Sequence, residues 1–414
     1  MKTINLILLS VLIFSKVCNA QISEWREANR TGVSSETGLL KSWPAEGPAL
    51  LWSNSDLTNG NSSVSFGDNS IYVTGTSEGN DILYALDMNG KKLWQTVIGR
   101  AWNESYPESR STPTVEGNKV YTASGFGDLA CIDGVTGKAI WNYKASELNK
   151  GTYGRWGIAE SLIIDGDKLY FTPGGPETMT IALKKTSGAV EWKSSSLNNK
   201  PGYVSPILIT YAGKKILVNI SQENVFAVDV SNGEILWKIA VEKPAGFNWD
   251  LILCVTPVYN DGMVYVTGGY NVGGLMIKLA PDGKSAAIIW TDKVLDVHHG
   301  GVVVVNGFIY GSNWLNNGDG NWCCIDWNTG VKKWEEHWNC KGSIISAEGM
   351  LYIYDEKRGN VGLLKATPEK FDLVSSFKVT QGNAGPFWAH PVIHKGVLYI
   401  RHNNALMAYN IKAN

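Results

Sequence analysis

The chain has 414 residues, 44% of them hydrophobic and 18% charged, with a formal net charge of −1 and an isoelectric point near 6.6. A charge so close to zero gives no whole-molecule field to draw nucleic acid or an anionic membrane surface, so neither is an expected partner. The 45 glycines and 17 tryptophans beside so few charges suit many short strands, tight turns and large aromatic anchors, and fit a helical bundle poorly.

At the N-terminus Lys2, the apolar run from Ile4 to Phe14 and the small residues around Cys18-Asn19-Ala20 read as a secretory signal cut ahead of Gln21. Residues 1–20 are therefore assigned to export, and the mature protein to the periplasm or the exterior. The run is too short to span a bilayer, and no later stretch reaches the roughly 20 apolar residues that a transmembrane helix needs. Lys16-Val17 stand where a lipoprotein signal carries small residues, so acylation of Cys18 is the less favoured reading. Five cysteines follow, Cys131, Cys254, Cys323, Cys324 and Cys340, in a compartment where disulfides persist, and an odd number leaves at least one unpaired. Residues 21–48 form an extension ahead of the first repeat, which begins the main body at 49–414.

One pattern then recurs. Small or apolar residues, often with Asp, lead through a turn containing Gly to an apolar run closed by Trp: Ala85 to Gly90 and Trp94, Cys131 to Gly137 and Trp141, Ala182 to Gly188 and Trp192, Ala227 to Gly233 and Trp237, Cys324 to Gly330 and Trp334. A degenerate copy runs from Lys278 through Asp282-Gly283 to Trp290. Successive tryptophans lie 47, 51, 45, 53 and 44 residues apart, the period of a propeller blade. The Gly-containing pairs are hairpin turns, and the preceding Asp is placed to accept hydrogen bonds from the turn backbone. Upstream of the copies, β-branched runs such as Ser70-Ile71-Tyr72-Val73, Lys119-Val120-Tyr121, Lys168-Leu169-Tyr170-Phe171 and Met263-Val264-Tyr265-Val266 complete four strands per repeat.

A four-stranded sheet cannot bury both faces alone, so neighbouring blades must stack, with the repeated indoles as plugs between them. The structural tryptophans are Trp52, Trp94, Trp141, Trp192, Trp237, Trp290 and Trp334. Blades fall at 63–99, 111–144, 157–194, 202–240, 254–293, 298–335, 342–379 and 387–412. The last has three strands, and Ala49-Leu50-Leu51-Trp52 is an orphan strand that supplies its fourth and closes the ring. The expected fold is an all-β, single eight-bladed β-propeller, with seven blades as the alternative.

The repeat resembles the tryptophan-docking repeat of the pyrroloquinoline-quinone (PQQ) propeller superfamily, which holds quinoprotein alcohol dehydrogenases and non-catalytic members such as BamB. The set Trp43-Pro44, Gly47-Pro48, Trp52, Arg110-Ser111-Thr112-Pro113, His298-His299-Gly300-Gly301 and Trp388-Ala389-His390-Pro391 is similar to bacterial PQQ-binding-like propeller proteins. This resemblance implies the fold and leaves activity open, because both branches carry the repeat. In the dehydrogenases it implies PQQ between a Trp and a disulfide of two adjacent cysteines, a Ca²⁺ held by oxygen ligands, and an Asp base. Here the adjacent pair Cys323-Cys324 falls within the repeat, with Cys324 at the small buried position held elsewhere by Ala85, Cys131 and Ala227. Packing is the favoured role, with a Cys323–Cys340 bridge as an option. The chain leaves little room for loops over PQQ and carries no Cys-x-x-Cys-His for passing electrons onward.

Residues before or at the start of each innermost strand gather at one mouth of the central channel, whatever their separation in sequence. They are Arg110, Trp156, Glu160, Tyr203, Trp249, Asp250, His298, His299, Lys341, Trp388 and His390. Arg110 and Lys341 suit a carboxylate or phosphate, and Trp156, Tyr203 and Trp388 suit a sugar or flat ring. Glu160 or Asp250 can accept hydrogen bonds, and the three histidines suit a metal or proton transfer, although no metal site is assigned. The Gly-rich run 268–274 lies between strands, without the helix N-terminus that phosphate capture needs. Asn61-Ser62-Ser63 and Asn103-Glu104-Ser105 match glycosylation acceptors only as short motifs. The sequence therefore favours an exported scaffold binding a small molecule, glycan or protein at the channel mouth without chemistry. The alternative is a PQQ- or metal-dependent oxidoreductase using the same mouth.

Overall fold

The repeats become sheets because each carries two runs that are apolar on both faces and one that alternates. In the first, Ser70–Ser77 and Asn80–Asp87 are buried along nearly their whole length, whereas Lys92–Arg100 exposes alternate residues to solvent. Such inner strands need a neighbouring sheet on each side. The computed structural model describes residues 22–413, so the proposed signal at 1–20 lies outside the described residues.

Eight small sheets form a ring, and seven blades are excluded. Blades 1 to 7 cover 65–100, 114–144, 163–193, 207–240, 258–292, 302–336 and 342–378, each in antiparallel succession. Blade 8 combines Val392–His394, Val397–His402 and Ala405–Asn410 with Ala49–Asn54 as its outer strand, Trp52 standing opposite Ala408. The strand before the first repeat and the last three strands thus meet in one sheet, as the orphan-strand reading requires.

The tryptophans join the blades in a repeated way. The indole of Trp94 lies flat on Gly137 of the next blade, whose φ of +72° and lack of a side chain are both needed: a Cβ there would sit 2.8 Å from the ring. Its Nε1 donates to Gly134 O at 3.2 Å. Trp52, Trp141 and Trp192 repeat the contact on Gly90, Gly188 and Gly233, donating to Met88, Lys185 and Val230 carbonyls. Trp334 donates to Thr367 O, and Trp290 stacks on Gly330 without a bond from its Nε1. Trp237 is buried, but the longer degenerate turn of blade 5 packs Gly283 on Tyr211 and Ile216 instead. The turn aspartates work as expected, Asp133 Oδ1 accepting from Val135 N, Thr136 N and Thr136 Oγ1.

Blade 7 has no tryptophan at this position. The bulge that precedes each docking residue places Ser375 there, and Trp43 of the N-terminal extension fills the seam from outside the repeat. Trp43 N donates a hydrogen bond to Ser375 Oγ at 2.9 Å, and its ring packs edge-on to Phe377 at 5.4 Å and tilted to Tyr352 at 5.9 Å.

Upstream, the extension crosses the channel. Ile22–Ser23 pairs with the innermost strand of blade 2, and Val33–Ser34 runs parallel to that of blade 7. Between them Arg26 donates to the carbonyls of Val302 (2.6 Å) and Ile344 (3.2 Å), and Arg30 to those of Ser161 (2.8 Å), Leu162 (2.8 Å) and Pro206 (3.0 Å). Both guanidiniums are fully buried, and desolvation lowers that of Arg26 to about 10. These carbonyls would face an empty channel without the two arginines, so the segment satisfies the inner strand ends and closes the channel beneath the mouth.

Candidate functional site

Above this plug the strand starts enclose a cavity of about 430 Å³. Its wall is built from eight of the eleven mouth residues: Arg110, Trp156, Tyr203, Trp249, His298, His299, Trp388 and His390. Trp25 of the plug forms part of its floor, edge-on to His390 at 5.1 Å.

The other three lie elsewhere. Glu160 is buried below the wall near Arg30, and desolvation pushes its carboxyl up to about 8. Asp250 is half exposed and paired with Lys200 at 2.8 Å. Lys341 turns away from the cavity to stand 3.0 Å from Glu356 Oε1 and donate to Asn316 O at 2.9 Å, so it serves the wall rather than an incoming ligand. Sequence position names the strand start but not the face to which a side chain turns.

One side of the cavity is aromatic and cationic. Arg155 lies between Trp156 (5.6 Å) and Trp249 (4.9 Å), and Trp156 meets Tyr203 edge-on at 5.3 Å. Arg110 is held by the carbonyl of Tyr106, whose ring packs on Trp388 at 5.5 Å. Cys254 adds a free thiol, pushed up to about 12 by burial.

The opposite wall carries the histidines. His390 Nδ1 accepts from Arg26 at 2.8 Å, which leaves Nε2 to donate to His299 O at 3.2 Å, so both its nitrogens are engaged. Burial and the Arg26 charge hold it neutral, well below the usual imidazole range. His298 and His299 stack at 3.5 Å between centroids, and their Nδ1 atoms lie 3.9 and 3.7 Å from Glu356 Oε2. Desolvation lowers His298 to about 3. Gly300 fixes the pair's backbone against blade 7, because any Cβ there would run into the carbonyl of Gly342.

Glu356, Tyr270, Arg155, Tyr106 and Trp25 were not expected at the site. Glu356 stands in the hairpin turn 355–359, whose sequence reads as an ordinary charged turn, and Tyr270 in the glycine-rich loop. Arg155 adjoins the recognised Trp156 and was within reach of the same positional argument.

The quinone constellation does not fit. Cys323 and Cys324 lie in the third strand of blade 6 on opposite faces, one packed toward blade 5 and the other toward blade 7, and neither lines the cavity. Every cysteine among the described residues is free, so the Cys323–Cys340 bridge is not formed; Cys340 Sγ is 3.3 Å from Gly318 O. Among the described residues Glu356 is the one carboxylate in the lining, which leaves there no oxygen set for Ca²⁺ with a separate carboxylate base.

The family profile described as outer membrane protein assembly factor BamB matches residues 78–336. The chain belongs to the BamB family. The BamB of Yersinia pestis is 23% identical over 278 residues, 64% of this chain and 65% of its own length, just under two thirds. Among solved structures, BamB from Moraxella catarrhalis superposes with a TM-score of 0.61 at 16% identity, covering 88% of this chain and 98% of that one. Quinohemoprotein alcohol dehydrogenase from Comamonas testosteroni gives 0.69 at 12% identity, covering 93% and 79%. At such identities both share the fold with this BamB-family propeller, and the fold alone.

Proposed function

We propose that this chain is an exported binding scaffold whose plugged channel takes a small ligand bearing an anionic group and a sugar or flat ring, free or as part of a glycan or protein. The observation that carries the reading is the chemistry gathered on the cavity wall. Arg110 and Arg155 supply cations, Trp156, Tyr203 and Trp388 supply stacking faces, and four lining side chains hold buried polar atoms without a partner. Those atoms are Ser105 Oγ, His298 Nδ1, His299 Nδ1 and Trp388 Nε1. Buried polar groups are nearly always hydrogen-bonded, so a concentration of unpartnered ones on a concave wall marks where a ligand's groups complete the bonding. Scaffolding rather than chemistry agrees with membership of a family named for assembly, and with a lining that lacks the quinone site. Export rests on the pattern of Lys2, Ile4 to Phe14 and Ala20.

The test is saturation-transfer NMR with glucuronate, benzoate and glucose as probes. Transfer to glucuronate or benzoate, and weaker transfer to glucose, is expected; no transfer to any of the three overturns the reading.

A further inference from the structure

Within the cavity wall, His298, His299 and Glu356 converge with no hydrogen bond among them. Glu356 Oε2 lies 3.7 and 3.9 Å from the two Nδ1 atoms, beyond hydrogen-bonding range, and all three ligand atoms fall within 4.8 Å of one another. His298 and Glu356 are more than nine-tenths buried, and both Nδ1 atoms lack a partner. We propose that this triad is a site for a divalent transition-metal ion.

The spacing is right for it. Metal–nitrogen and metal–oxygen bonds of about 2.0–2.2 Å allow two ligand atoms to stand no more than about 4.2 Å apart; the two nitrogen–oxygen separations fall inside that limit, and every pair of ligand atoms lies within 4.8 Å. The surroundings aim the donors. Tyr270 OH is 3.0 Å from His298 Nε2; in the tautomer protonated at Nε2 the phenol oxygen accepts that proton and the Nδ1 lone pair is free to bind the ion beside Glu356. Lys341 engages Oε1 of Glu356 from behind, leaving Oε2 toward the rings. The Gly300 seam keeps the adjacent imidazoles on one side of the strand start.

The donor set chooses the ion. Two imidazoles and one carboxylate suit zinc, cobalt, nickel or copper, whereas calcium and magnesium take oxygen. Three protein ligands leave a coordination position open, and the triad lines the cavity shared with Arg110. An anionic ligand can therefore bind the ion through an oxygen while the guanidinium holds its charge.

The site lies in the cavity of the proposed function but needs no organic ligand, so the two fail separately. Chelator-stripped full-length protein is titrated with Co²⁺, followed by calorimetry and by visible ligand-field absorption. One equivalent is expected to bind at micromolar concentration or tighter, with absorption of a four- or five-coordinate ion. His299→Ala should weaken binding by about a hundredfold or more and Glu356→Gln by at least about tenfold, while His337→Ala, an exposed histidine paired with Asp319, leaves it unchanged. Near-ultraviolet circular dichroism checks that each variant is folded. Absence of saturable binding below millimolar Co²⁺, or equal binding in His299→Ala and Glu356→Gln, overturns the site. Glucuronate transfer retained by protein that binds no Co²⁺ would remove this inference and leave the scaffold reading standing.

Discussion

Replacing Trp43 by alanine removes an indole that belongs to no repeat yet fills a blade seam. Only 7% of the residue is exposed, so nearly the whole ring leaves its packing, and deletion of a buried large aromatic costs about 3–5 kcal/mol. Contacts with Phe377 and Tyr352 push the cost up. Nε1 pushes it down, because it is buried without a partner and its desolvation is relieved when the ring goes. The low end, about 3 kcal/mol, is therefore expected. Unfolding entropy of roughly 2.1 cal/mol/K per residue over about 390 ordered residues is about 0.8 kcal/mol/K, so the melting temperature should fall by about 4 °C. Differential scanning calorimetry reads this directly, and Trp43→Phe should lose less. A melting temperature within about 1 °C of the parent would refute the claim that Trp43 replaces the indole missing at Ser375.

Trp141→Ala removes both a stacked indole and the 2.9 Å bond to Lys185 O, so its loss should reach the upper part of about 3–5 kcal/mol, measured by urea denaturation. Glu160 titrates near 8 in the fold against an ordinary 4.5, so the unfolded chain releases its proton first and stability falls as pH rises between those values. Glu160→Gln should flatten that slope and gain on the order of a few kcal/mol at pH 8; parallel stability–pH curves for the two proteins would contradict it. Incubation with PQQ and Ca²⁺, then gel filtration, should leave no quinone absorbance with the protein and no dye reduction with ethanol, since neither the cysteine pair nor an oxygen set stands at the cavity. Retained quinone would revive the dehydrogenase reading.

The ring was legible because its determinants are local. Each turn Asp, turn Gly and Trp lies within a dozen residues, and their repetition gives blade number and closure from the chain alone. The cavity was legible in outline for the same reason, since strand starts must face one mouth. What escaped is non-local. Arg26 and Arg30 bind bare carbonyls of four blades, and carbonyls leave no mark in side-chain sequence. Trp43 was visible as a residue but not as the partner of Ser375, 332 positions away. Glu160 and Lys341 sit at the right strand ends and turn the wrong way, which only packing decides. Glu356 was hidden in a turn of ordinary charged composition.

The central claim is that the cavity binds an anionic ligand through Arg110. Calorimetric titration of glucuronate into the parent protein and into Arg110→Ala, at matched salt, tests it most directly. Loss of a charge-assisted hydrogen bond of about 1.5–3 kcal/mol predicts affinity weakened roughly 10–100-fold with the melting temperature unchanged. Equal affinity in the two proteins, or no heat of binding in either, would contradict the account.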